Sequence, residues 1–103
     1  MNNVVDIELD MIIAKLREIA PAIKAEGVTR LAVFGSRARR DARPDSDLDI
    51  LIDTVTRGTP VFDLFKVMHL IEDATGLQTQ ISMRDLLKPR VAERIADDLT
   101  EVF

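Results

Sequence analysis

The chain contains no cysteine, no tryptophan and no tyrosine; its four aromatic residues are all phenylalanine. Without cysteine there are no disulfides and no thiolate zinc sites, which suits a reducing compartment. So few aromatics imply an aliphatic core and offer no platform for stacking single-stranded nucleic acid. Positive charge is in deficit, with 14 Lys and Arg against 18 Asp and Glu, a net charge of −4. A protein held by nucleic-acid phosphates is usually basic, so DNA or RNA is a poor default partner. No apolar run approaches the ~20 residues of a membrane span. The N-terminus lacks a signal-peptide pattern, so we expect a cytoplasmic protein with no membrane attachment.

What remains is the composition of a small globular protein. With 103 residues, one domain covering 1–103 is expected. Leu9, Ile12, Ile13, Leu16, Ile19, Ala20 and Ile23 recur at helical spacing, with Asp10, Lys15, Arg17, Glu18 and Lys24 on the other side. Pro21 should kink this helix or start a second short one, and Gly27 should end it. Arg30 to Phe34 reads as a strand, Ser36 to about Asp41 as a short helix with Ser36 near its N-cap, and Ala42 to Ser46 as a turn. Asp47 to Val55 reads as a second strand. Its unbroken Ile50-Leu51-Ile52 predicts burial on both faces.

Thr59 and Pro60 form a helix-start signal, and Val61, Leu64, Phe65, Met68 and Ile71 mark the helix that Gly76 ends. His69 falls one step off that stripe and has no nearby Cys or His, so it receives no role. Leu77 to Ser82 alternates as a half-buried strand, with Gln78, Gln80 and Ser82 on its polar face. Met83 to Lys88 is a turn or short helix. Val91, Ile95, Leu99 and Val102 predict a last helix. The expected fold is α/β (α+β): a small mixed sheet of about three strands covered by helices.

The stretch from Gly35 to Asp49 carries the chemistry. Gly35-Ser36 follows an apolar run, and Asp47-Leu48-Asp49 opens the next one after ten intervening residues. A strand has a side-chain period of two, so Asp47 and Asp49 project from one face. Two carboxylates so close repel each other, and a hard divalent cation relieves that. Mg²⁺ is typically held by one or two carboxylates plus substrate phosphates. Gly35 and Ser36 can bring backbone N–H groups and a hydroxyl to an anion. Arg37, Arg39, Arg40 and Arg43 lie between. The stretch reads as a holder for a metal–nucleoside triphosphate.

This pattern resembles the nucleotidyltransferase signature of the DNA polymerase beta superfamily. It is most similar to the minimal nucleotidyltransferases, small proteins often encoded beside a HEPN-domain toxin. The resemblance runs from the leading helix through Phe34-Gly35-Ser36-Arg37-Ala38-Arg39 to Leu87-Lys88-Pro89-Arg90. It implies Asp47 and Asp49 as catalytic, Mg²⁺-binding residues. It also implies that Gly35, Ser36, Arg37 and Arg39 contact the phosphates of ATP.

Two positions depart from the family pattern. Arg40 stands where glycine is usual. Gln80 stands where a third carboxylate on a later strand should complete the catalytic-metal site, and an amide carries no charge and cannot act as base. Asp53 has the right parity but lies about 13 Å from Asp49 at the rise of a strand. Asp85 lies beyond the third strand and is the remaining candidate.

The resemblance implies transfer of AMP from ATP to a protein hydroxyl, with a tyrosine of a HEPN toxin as acceptor and this chain as antitoxin. The alternative, favoured by Gln80, is a catalytically weakened nucleotide-binding antitoxin that neutralises its partner by contact. A small-molecule nucleotidyltransferase would need an added domain, and no stretch here resembles one.

Overall fold

The computed structural model describes residues 8–55 and 64–103. Helix α1 (Leu9–Glu18) buries Leu9, Ile12 and Leu16, the inward face of the periodicity in the sequence. Pro21 near the N-terminus of α2 (Ala20–Ala25) starts a separate helix there, because its ring cannot continue α1. Gly27 then takes φ +102° and turns the chain into strand β1 (Val28–Phe34).

Short helix α3 (Gly35–Arg39) follows β1 directly. Phe34, rather than Ser36, holds its N-cap position, and Ser36 sits in the first turn. The helix ends in a Schellman-type turn. The Asp41 N–H donates to the Ser36 carbonyl at 3.1 Å and the Arg40 N–H to that of Arg37 at 3.3 Å. Arg40 supplies the left-handed residue that turn needs, with φ 64°. The turn is thus kept without glycine, at a conformational cost of roughly 1–2 kcal/mol. An ion pair from Arg40 Nη2 to Asp10 at 2.9 Å offsets part of it.

Strand β2 (Leu48–Thr54) is followed by α4 (Leu64–Thr75), β3 (Thr79–Met83), a 3₁₀ turn (Arg84–Leu86), α5 (Pro89–Ala96) and β4 (Thr100–Glu101). The expected helix start at Thr59, Pro60 and Val61 lies outside the described residues. The described strands form a mixed sheet in the order β3-β2-β1-β4, with β2 antiparallel to β1 and parallel to β3. A two-residue fourth strand extends the expected mixed sheet of about three. The last helix stops at Ala96. Thr100 and Glu101 pair antiparallel with Val33 and Ala32, and the Val102 N–H donates to the Leu31 carbonyl. Val102, read as a helical core position, is buried from an extended segment instead.

One face of the sheet makes the main core. Leu31, Val33, Leu48, Ile50 and Ile52 pack there with Ile12, Leu16, Ile23, Val67 and Ile71. Strand alternation and register gather the other side chains on the second face. Phe34, Asp49 and Gln80 form one row across β1, β2 and β3; Ala32, Leu51 and Ser82 form the next. Leu51 is 1% exposed, so the expected burial of β2 on both faces holds at its centre. At the far end Arg30 pairs with Asp53 and Glu101, and Arg84 Nε donates to Asp53 at 2.7 Å.

Ile50, next to Asp49 in β2, is fully buried on the core face of the sheet. Ile50→Ala should destabilise the protein by about 2–5 kcal/mol in urea titrations. Met11→Ala, at an exposed position on α1, should stay within about 0.5 kcal/mol of wild type.

Candidate active site

The site lies where β1 ends, α3 begins and β2 starts. Leu48 and Ile50 are both fully buried in the core. Their side chains therefore fix the parity of β2 and force Asp49 to the opposite face. Gly35 sits at the β1–α3 junction with φ +75°. A Cβ there would collide with Asp49 Oδ2, so the missing side chain is what lets this backbone approach the carboxylate.

Asp47 and Asp49 are separated by a single residue, and their carboxylates are close enough to interact. The Asp49 carboxyl is pushed above its ordinary value of 3.8. Burial is the main cause, and the like charge of Asp47 adds to it, while the positive charge of Arg39 opposes both. Gln80 pairs with Asp49 in the parallel register, and its Nε2 donates to Asp47 Oδ2 at 2.9 Å. The amide thus occupies the third corner of the site and neutralises nothing. Among the described residues, no group of three or more His, Cys, Asp or Glu is placed to hold a metal ion.

The other candidate carboxylates are elsewhere. Asp53 is tied to Arg84 and Arg30 at the far end of β2. Asp85 follows Arg84 in the 3₁₀ turn beyond β3, and is exposed. Three strand steps from Gln80 to Met83 amount to about 10 Å, and Asp85 lies beyond them in the 3₁₀ turn.

The arginines divide. Arg37, expected at the phosphates, is 3% exposed. Its Nη2 donates to the carbonyls of Ser46 at 2.9 Å and Pro44 at 3.2 Å, so that group holds the loop before Asp47. Arg39 is exposed and near enough to Asp49 to lower its pKa. It is held by Asp98 at 2.8 Å and Asp41 at 3.2 Å. Nothing in the local sequence signals Asp98, which reaches Arg39 from 59 residues away. His69 is exposed on α4, away from the site, beside Glu72.

A family model described as the nucleotidyltransferase domain matches residues 13–101. The chain belongs to the nucleotidyltransferase domain family. The matched span includes both aspartates, Gly35-Ser36 and Gln80. A protein adenylyltransferase of Thermococcus cleftensis, MntA, is 33% identical over 79 residues, which cover 74% of this chain and 76% of that protein. A solved structure assigned as a minimal nucleotidyltransferase superposes with a TM-score of 0.76 at 29% identity, covering 91% of this chain and 95% of that one. The fold is also that of an antitoxin solved with its tri-AMPylated HEPN toxin from Shewanella oneidensis. There the TM-score is 0.61 at 9% identity, covering 87% of this chain and 70% of that one. The nucleotidyltransferase fold is thus the one on which this aspartate pair is mounted.

In this nucleotidyltransferase site the raised Asp49 has a measurable consequence. A carboxyl whose pKa is higher folded than unfolded keeps its proton longer in the folded protein. Stability then falls as the pH rises from 3.8 through the folded value, and the deficit persists at neutral pH. Asp49→Asn should therefore raise the Tm of the metal-free protein at pH 7. That gain should shrink when melting is repeated below pH 3.8.

Proposed function

We propose that this chain is a cytoplasmic, Mg²⁺-dependent protein adenylyltransferase that moves AMP from ATP to a hydroxyl of a partner protein. The partner is a HEPN-type toxin, the acceptor a tyrosine, and the outcome its silencing, so the chain serves as an antitoxin. One observation carries the reading: Asp47 and Asp49 sit together beside a glycine whose absent side chain leaves room at Asp49. The protein adenylyltransferase relative supports a protein acceptor. The AMPylated toxin beside a chain of the same fold supports the partner class.

The donor set fits a hard divalent cation. Two close carboxylates, one with its pKa raised by burial and further by the charge of the other, gain when a cation joins them, and oxygen donors suit Mg²⁺. Such an ion, when bound, supplies positive charge to the triphosphate and to the attacking oxygen. Asp47 and Asp49 would hold it. Gly35 and Ser36 would approach the phosphates with backbone N–H groups and a hydroxyl, and Arg39 would exchange a carboxylate partner for a phosphate oxygen. The acceptor oxygen attacks the α-phosphorus, the bond to the β-phosphate oxygen breaks, and pyrophosphate leaves. The hydroxyl proton would pass to solvent water at the exposed Gln80 corner, because Gln80 itself is not a base.

Gln80 favours a second reading, in which the chain binds nucleotide but neutralises its partner by contact. Its amide donates to Asp47, where a third carboxylate would have added charge. Incubation with labelled ATP, Mg²⁺ and the co-encoded partner separates the two. On the enzyme reading, label appears on the partner protein and not on added tRNA. Asp49→Asn should lower transfer by more than about tenfold. Efficient labelling of tRNA ends would sink the protein-acceptor reading, and an unlabelled but inhibited partner would favour the contact one.

The rank of Gln80 can be tested separately. Gln80→Asp restores charge at the third corner and should accelerate transfer while leaving ATP affinity within about threefold of wild type. An unchanged rate, with wild type already transferring briskly, would mean that another carboxylate does this work.

A further inference from the structure

We infer that Arg37 is a positioning residue. Its buried guanidinium sets the loop that carries Asp47, and through that loop the metal affinity of the site. The inference rests on the assignment of Asp47 and Asp49 as metal ligands.

The loop between α3 and β2 has no regular structure from Asp41 to Asp47. A few bonds hold it instead. The Ser46 N–H donates to the Arg43 carbonyl at 3.0 Å, and the Arg43 N–H donates to Ser46 Oγ at 2.9 Å. This closes a small turn of its own. The turn has to be fastened to the body, or Asp47 swings with it. Arg37 does the fastening from the middle of α3. Both donors of Nη2 are used, one on the Pro44 carbonyl and one on that of Ser46, the residue before Asp47.

Two physical points make this more than packing. First, a guanidinium stays charged when buried, so its burial is tolerated only where donors find strong acceptors. Here Nη2 finds main-chain carbonyls of the loop. Second, both bonds leave one nitrogen, Nη2, whose N–H directions are fixed by the guanidinium plane, whereas the donors of an ammonium on a flexible stem rotate. Asp47 sits outside the regular span of β2, which begins at Leu48. Its backbone therefore depends on the loop on one side. A metal site loosened by about an ångström loses affinity steeply.

Three roles for Arg37 give different results with Mn²⁺ as an Mg²⁺ probe, measured in the full-length protein. A positioning role predicts that Arg37→Lys weakens binding of Mn²⁺ alone, without nucleotide, by about tenfold or more. It also predicts faster amide exchange over residues 41–47 with the core strands unchanged. Pro44→Gly leaves the cation in place but frees the loop backbone, and should weaken Mn²⁺ in the same direction. It keeps the test open if Arg37→Lys does not fold.

A purely structural role would lower Tm yet leave the Mn²⁺ affinity of the folded protein unchanged, which would overturn the inference. A direct phosphate contact would spare Mn²⁺ and weaken only ATP, which would overturn it too. Wild type that binds no Mn²⁺ would instead defeat the metal-ligand assignment. Amide exchange would then still decide whether Arg37 orders the loop: unchanged protection of 41–47 in Arg37→Lys would overturn that part as well.

Discussion

Two carboxylates held against their mutual repulsion are the constraint around which this fold is arranged. Left alone, Asp47 and Asp49 would move apart or let one proton stay on. The raised pKa of Asp49 reflects the second course, and the core bars the first. Leu48 and Ile50 are sealed in the core on either side of Asp49, and a one-residue slip of β2 would drag both into water. Losing two such side chains from the core would cost on the order of 3–6 kcal/mol in transfer alone. Repulsion between two partly solvated carboxylates is weaker than that. The hydrophobic effect therefore wins, and the strained pair persists as a standing feature of the folded chain.

Each neighbour of the pair bears on the same tension. Burial raises the Asp49 pKa, Arg39 lowers it, and Gln80 offers Asp47 a hydrogen bond without a charge. Gly35 lets β1 and α3 meet the carboxylate without a clash. Arg37 holds the loop from beneath. None of these contacts is large, yet together they define a site that a divalent cation would relax. The turn after α3 keeps its geometry although Arg40 is ill suited to the left-handed position.

Much of this was legible in the sequence because it depends on local rules. The period of α1, the break at Pro21 and the parity of Asp49 and Gln80 follow from helix and strand geometry alone, whereas Asp47, expected as the first residue of β2, lies in the loop before it. The Gly35-Ser36 and Asp47-Leu48-Asp49 spacing brought the family resemblance. What escaped was non-local. The segment from Thr100 to Val102 carries too short an apolar signal to distinguish strand from helix end, and its pairing with β1 decides the matter. Arg37 looked like its exposed neighbours because arginine gives no sign of burial until its acceptors are known. Asp98 was invisible for the same reason.

The second face of the sheet has one further property, visible only when its rows are taken together. At the far end, Arg30 and Arg84 stand against Asp53 and Glu101, and the charges cancel. At the near end, Asp47 and Asp49 share the face with a neutral amide, and Arg39 is already shared between Asp41 and Asp98. The electric field of this face is therefore lopsided, silent at one end and negative at the other. Such a field draws in cations and repels bare polyanions. On the proposed function, a free triphosphate approaching the aspartates would meet an uphill path, whereas its magnesium complex would arrive with much of its charge already masked. That charge distribution would favour metal first, or metal and nucleotide together, over nucleotide alone.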